Sequence, residues 1–241
     1  MLAPLLAVVL FLAAVVAAFG YLRLEEVGRE QEAVKRDLEY AQQRLRLRLL
    51  ERQEQTMRLA RDIANREVNP AQFRLRAGSM VAQYAELVAI SWIDEHRRLV
   101  AMESSPSVNA ARDWAENGVL KPGEVQTGYE LARDMLQPVY SQPLAVKGAD
   151  SVLQLHVPIT PRGKFTGELL VEYSVDSLMR YGVPAEILAK YAIALLDAKG
   201  ELLAGHSIPD RSGLSELLPW TDQVNEVQTP VSPVGNGLVL R

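Results

Sequence analysis

Leu87-Val88-Ala89-Ile90-Ser91-Trp92-Ile93 is a β-rich run that breaks at Asp94-Glu95-His96-Arg97 and returns as Arg98-Leu99-Val100-Ala101-Met102. Two apolar segments around a short polar turn predict an antiparallel hairpin. The same pattern recurs 103 residues later, where Ile193-Ala194-Leu195-Leu196-Asp197 is followed by Leu202-Leu203-Ala204. The second turn, Asp197-Ala198-Lys199-Gly200, is the cleaner one. Repetition at a fixed offset points to two copies of one module. Between the hairpins lie a helical stretch over about 108–137 and two further strands, Ser151–Val157 and Gly167–Tyr173, with Pro161-Arg162-Gly163-Lys164 turning between them. The last strand alternates as a half-exposed strand should. Helix, two strands, helices and more strands make an α+β fold with antiparallel sheets, not a doubly wound parallel one. Copy one ends near Val175, whereas only 44 residues follow Asp197. The closing Gly235-Asn236-Gly237-Leu238-Val239-Leu240 resembles Gly148 to Leu155, where copy one enters its third strand. Copy two is therefore expected to be incomplete and the chain a fragment.

Upstream of the first hairpin, charge is distributed very unevenly. Residues 1–22 carry no charged side chain, and Leu5 to Leu22 is an 18-residue apolar run. That is close to the ~20 residues needed to cross a bilayer as a helix. A cleaved signal peptide is the rival reading, with Val16-Ala17-Ala18 as its cleavage site. No Lys or Arg precedes the run, which favours an uncleaved anchor. Residues 23–68 hold 11 basic and 10 acidic side chains and no proline. Leu24, Val27, Val34, Leu38, Ala41, Leu45, Leu49, Met57, Ala60 and Ile63 recur at helical spacing. Glu25–Arg29, Glu32–Arg36, Glu54–Arg58 and Asp62–Arg66 place opposite charges four apart. Span and charged segment read as one rod, reaching roughly 70 Å beyond the bilayer. Gln31, Gln53 and Thr56 interrupt the stripe, so it is not a pure coiled-coil seam. The expected role is to pack on the following domain and also pair in a dimer. Asn69-Pro70 ends the helix. A short helix over 71–84 should turn Phe73, Ala77, Met80, Val81 and Tyr84 inward.

Composition removes several classes of function. The 241 residues are 48% apolar and 23% charged, with a net charge of -4. Ordinary hydropathy rules out wholesale disorder, and the acidic balance disfavours nucleic acid as a partner. No cysteine is present, so disulfides, thiolate metal sites and a cysteine nucleophile are excluded. Three histidines leave little for a metal site. Phosphate-binding glycine loops, a Gly-x-Ser-x-Gly elbow and a His-Glu-x-x-His motif are all absent. No catalytic residue, cofactor or metal is implied.

An apolar span, a charged helix and tandem antiparallel modules resemble the double Cache (PDC, PAS-like) sensor region of bacterial transmembrane receptors. The dicarboxylate-sensor-like group of sensor histidine kinases is the nearest resemblance. It rests on Ile93-Asp94 before the hairpin, Val157-Pro158-Ile159, Lys164-Phe165-Thr166-Gly167-Glu168-Leu169-Leu170-Val171, Tyr173-Ser174-Val175, and Val183-Pro184-Ala185-Glu186-Ile187-Leu188-Ala189-Lys190-Tyr191. The first hairpin departs from the usual Asp-x-x-Gly turn, with Arg97 in the glycine position.

The resemblance implies a transmembrane helix at 1–22, a stalk or dimer helix at 23–68, a membrane-distal module at 69–180 and a truncated membrane-proximal module at 181–241. It also implies a homodimer in the inner membrane, with residues after 22 in the periplasm. Its function would be sensing a small organic acid or similar solute for a two-component histidine kinase. A chemotaxis receptor or diguanylate cyclase could carry the same sensor; a membrane-tethered coiled-coil scaffold is the rival of another class.

The resemblance places the ligand in the distal module. Candidate contacts there are Trp92, Tyr129, Arg133, Tyr140, Ser141 and His156. Tyr129 and Arg133 are four apart on one helix face. An arginine fork beside phenol and hydroxyl donors suits a carboxylate. Trp92 could equally be core, and Arg133 could equally pair with a surface acid. Arg112, Trp114 and His96 are weaker candidates.

Overall fold

A computed structural model describes residues 2–106, 115, 118–121, 123–144, 150–206, 227–231 and 237–241. Helix α1 (Leu2–Ala64) runs unbroken for 63 residues, as the rod reading expects. Its inward stripe is Leu38, Ala41, Leu45, Leu49, Leu59, Ala60 and Ile63, all buried. The interruption at Thr56 is a buried polar position: its hydroxyl donates to the Arg52 carbonyl. Asn69 then caps α2 (Pro70–Gln83) with a capping box to Gln72, and Pro70 sits at the first position, where it loses no helical bond. Phe73 and Ala77 are buried, with Met80, Val81 and Tyr84 packed at the core edge.

The hairpin forms as β1 (Leu87–Asp94) and β2 (Leu99–Ser104). Asp94 builds the turn by accepting the His96 and Arg98 amides at its carboxylate. Arg97 adopts φ 64°, so the missing glycine is replaced by a strained arginine rather than by another turn. Next come α3 (Glu124–Met135), β3 (Val139–Tyr140), β4 (Val152–Pro158) and β5 (Gly167–Ser174). The helical stretch expected at 108–137 begins in residues outside the described ones and is helix over α3. The first sheet has order β2-β1-β5-β4-β3, antiparallel throughout. The half-exposed reading of β5 is corrected: all eight of its residues are buried. Leu169, Val171 and Tyr173 join Leu153, Leu155, Val157 and Ile90 in the large core under α1 and α2. Leu170 and Ile93 face the other way, into a smaller cluster with Tyr129 and Val125 of α3.

Helices α4 (Val175–Gly182) and α5 (Ala185–Lys190) lead to β6 (Ala194–Leu196), β7 (Leu202–Gly205), β8 (Thr229–Pro230) and β9 (Val239–Leu240). The second sheet has order β7-β6-β9-β8. A hairpin whose first strand is flanked by the last strand repeats the β2-β1-β5-β4 arrangement, so the repeat is real at the level of topology. One detail is corrected. The closing segment was matched to the entry of β4, yet β9 pairs with β6 as β5 pairs with β1. Two-residue strands are too short for sequence pattern to fix their place in a sheet. Helix α1 braces this sheet too: Gln42 donates to the Pro230 carbonyl at 2.6 Å, and Asp37 accepts from Lys190 at 3.0 Å and Tyr191 at 2.9 Å. Those two donors hold the Asp37 carboxyl below the usual carboxylate range.

Among the described residues no helix is long and apolar enough to cross a membrane. The expected span draws on residues 1–22, and the side chains of 1–10 and of Ala13 lie outside the described ones.

Candidate functional site

The even-numbered residues of β4 and β5 and the odd-numbered residues of β1 share the sheet face under α3, because successive side chains alternate. That face is polar at its centre. Ser91, Gln154, His156, Glu168 and Glu172 are all buried there. His156 Nδ1 lies 2.9 Å from Glu168 Oε1, a diagonal contact between β4 and β5. Gln154 donates to Glu172 Oε1 at 3.2 Å, directly across the strands. Glu168 and Glu172 thus lie on the same face of β5, separated by Leu170. Among the described residues, His156 Nε2 and Glu168 Oε2 have no hydrogen-bond partner. Buried polar atoms are normally satisfied; α3 closes over His156 Nε2 at Gly128, which leaves Glu168 Oε2 as the atom an additional group could meet.

Helix α3 roofs this floor. Gly128 allows the approach: a Cβ there would overlap the His156 ring. Tyr129, the next residue, is buried, donates to the Asp94 carbonyl at 2.8 Å and packs edge-on against Phe165. Burial, followed by the Glu168 and Asp94 charges, pushes the Tyr129 phenol well up, so it stays a neutral donor.

Of the residues expected from sequence, the structure brings Tyr129 and His156 together here. The others lie elsewhere. Trp92 is on the opposite face of β1, edge-on to Phe73 at 5.8 Å between ring centroids, within the core. Tyr140 is in the same core, with its phenol pushed up by burial. Ser141 donates to the Gln142 carbonyl. Arg133 lies on the outer side of α3 and bonds Asp134 at 2.8 Å, which is the surface pairing rather than a ligand fork. His96 is an exposed turn residue. Arg112 and Trp114 lie outside the described residues. Gln154, Glu168 and Glu172 were missed. The available signal was polar alternation on two strands that pair with each other.

No family model and no curated protein sequence matches the chain. Solved structures do. The ligand-binding domain of the Campylobacter jejuni chemoreceptor Tlp3, in complex with L-valine, matches with TM-score 0.51 and 15% identity over 87% of this chain and 90% of that one. The ligand-binding domain of the Pseudomonas aeruginosa amino acid chemoreceptor PctC, in complex with GABA, matches with TM-score 0.51 and 15% identity over 87% and 94%. The extracellular domain described as that of a histidine kinase, soHK1S-Z6, gives TM-score 0.53 and 15% identity over 76% and 72%. The chain has the fold of receptor ligand-binding domains. The first sheet and α3 make up one antiparallel module, and the second sheet repeats its strand order.

Proposed function

We propose that the chain is the ligand-sensing segment of a membrane-anchored signalling receptor, and that its ligand lies between the first sheet and α3. The carrying observation is the buried floor of His156, Glu168, Gln154 and Glu172, with Glu168 Oε2 left without a partner among the described residues. Glu168 Oε1 meets His156, but a buried carboxyl oxygen left without a partner is costly until a donor or a cation meets it. The ligand is therefore a small solute bearing an ammonium group. The fold match supports this reading, since the matched Tlp3 and PctC domains are described with L-valine and GABA. A carboxylate on the same solute would be met from elsewhere, because Arg133 is engaged at the surface.

The experiment is a thermal-shift titration of the full chain in lipid nanodiscs with L-valine, γ-aminobutyrate and succinate. An ammonium-bearing solute is expected to give a saturable shift, and Glu168→Gln to weaken it at least tenfold. A shift from succinate alone, a shift that survives Glu168→Gln, or no saturable shift from any of the three overturns the assignment.

The apolar run Leu5–Leu22 is proposed as an inner-membrane anchor, with the rest in the periplasm. In the described part of that run, Phe11, Val16 and Phe19 stand exposed, a costly arrangement in water and a favourable one in lipid. Dimerisation through α1 belongs to the same proposal. Tyr40, Leu47 and Leu50 are exposed on its outer side, at spacings of seven and three residues. Leu47→Glu is expected to convert a sedimenting dimer to monomer, while Leu75→Glu on α2 leaves it dimeric. A monomeric wild-type chain, or a dimer indifferent to Leu47→Glu, removes the stalk.

A further inference from the structure

The C-terminal turns of α1, the segment after α3 and the Pro161–Gly163 turn enclose a cleft of about 330 Å³. It lies by Val157, on the α1 side of the sheet, away from the polar floor described above. Its walls are apolar, with Met57, Ala60, Leu136 and Val157 among them. Arg61, Asn65, Thr160 and Arg162 also line it and supply its polar groups. Among the described residues, the Arg61 side chain makes only a long, exposed contact of 3.4 Å to Glu54, which Arg58 shares. Arg162 has no acidic partner among the described residues. An apolar cavity of this size with a few convergent polar groups is the usual form of a small-molecule site.

Backbone conformation points to the same place. Only four non-glycine residues among the described ones have positive φ: Arg66, Arg97, Leu136 and Arg162. Leu136 (φ 53°) and Arg162 (φ 52°) both line this cleft, and Arg66 follows Asn65, which lines it too. Glycine is the residue that normally closes a helix in this conformation, yet Leu136 ends α3 and puts an apolar wall on the cleft. Arg162 takes a left-handed conformation beside Gly163, which is itself at φ 77°. Strain of this kind persists where a side chain has to be held in place.

We propose that this cleft is a second ligand site, for a small monoanion with an apolar body, such as a short-chain aliphatic carboxylate. The guanidinium groups of Arg61 and Arg162 take the carboxylate. Asn65 and Thr160 supply neutral donors, and the tail lies against Met57, Leu136 and Val157. The site is independent of the ammonium-binding floor and stands or falls separately from it.

The test is isothermal titration of the full chain in lipid nanodiscs with sodium hexanoate, against sodium chloride at matched ionic strength. Saturable heat is expected with hexanoate only. Arg162→Gly suits the local φ, so its melting temperature should equal or exceed that of the wild type while hexanoate affinity falls at least tenfold. Arg61→Ala should lower affinity in the same direction, and Glu168→Gln should leave it unchanged. No saturable heat, affinity undiminished in Arg162→Gly, or affinity lost equally in Glu168→Gln overturns the proposal.

Discussion

Glu86→Gln is expected to lower the stability of the chain by about 3 kcal/mol, near the low end for breaking a buried ion pair. Glu86 is fully buried between α2 and β1. Its carboxylate receives Arg48 Nε at 2.8 Å, Arg48 Nη2 at 3.0 Å and Arg52 Nε at 3.2 Å. Arg52 also stacks on the Tyr84 ring at 3.4 Å, and Arg48 donates to the Tyr181 carbonyl. One carboxylate thus fastens α1 to the root of the first sheet and, through Arg48, to the end of α4. Glutamine keeps the shape but leaves two guanidiniums facing a neutral amide, one of them almost wholly buried. Arg48 keeps some contact with water, which holds the cost to the lower end. For a chain of this size the loss corresponds to roughly 6–12 °C in melting temperature.

The same pair sets a pH dependence. Burial pushes the Glu86 carboxyl up, but the hydrogen bonds from Arg48, the backbone and Arg52 outweigh it and hold the group below its usual value. A carboxyl depressed in the folded state contributes stability above its unfolded value, about 4.3. That contribution fades as pH falls through the folded value. The stability gap between wild type and Glu86→Gln should therefore be full at pH 7 and shrink below about pH 4. Urea melts at both pH values check it; a gap under 1 kcal/mol at pH 7, or one that widens in acid, contradicts the account.

The elements that could be read from the sequence are those with a period. The long helix, the short helix after Pro70 and both hairpins have patterns several residues long, and each forms, although α1 stops at Ala64 rather than at 68 and Asn69 caps the next helix instead of ending this one. The two-residue strands β3, β8 and β9 have no period to detect. The buried polar floor was hidden by a different physical ambiguity. Glu168-Leu169-Leu170-Val171-Glu172 alternates as a strand with one wet face would, and only the roof of α3, carried by Gly128 and Tyr129, makes that face dry. Whether a polar face meets water or a covering helix is a tertiary fact that strand periodicity does not encode. Thr56 shows the converse. A break in an apolar stripe weakens the coiled-coil reading, yet here it accompanies the buried Arg52 that reaches Glu86. Two buried carboxyl groups were missed in the sequence: Glu86, which meets Arg48 and Arg52 of α1, and Glu168, which meets His156 on the neighbouring strand.

Gly167→Ala should be the most damaging single methyl in the first sheet, at about 3 kcal/mol. Gly167 opens β5 opposite Asp94 of β1, with φ 143°. Alanine there meets two penalties. The conformation is one that side chains rarely adopt, worth about 1–3 kcal/mol. A Cβ would also overlap the Ile93 carbonyl oxygen, which is backbone of the central strand and cannot rotate away. Gly163, four residues earlier, separates the two effects. It too has positive φ (77°), but a Cβ there meets nothing within 4 Å. Gly163→Ala should therefore cost only the conformational part, about 1–2 kcal/mol. The difference between the two variants, measured by urea unfolding, isolates the clash. Because Glu168 follows Gly167 directly, a shift of β5 away from β1 also moves the Glu168–His156 pair. Gly167→Ala should then weaken binding of an ammonium-bearing solute, while Gly163→Ala should leave it unaltered. Equal losses of stability in the two variants would mean that β5 accommodates the methyl and that the β1–β5 register does not hold the Glu168–His156 pair in place.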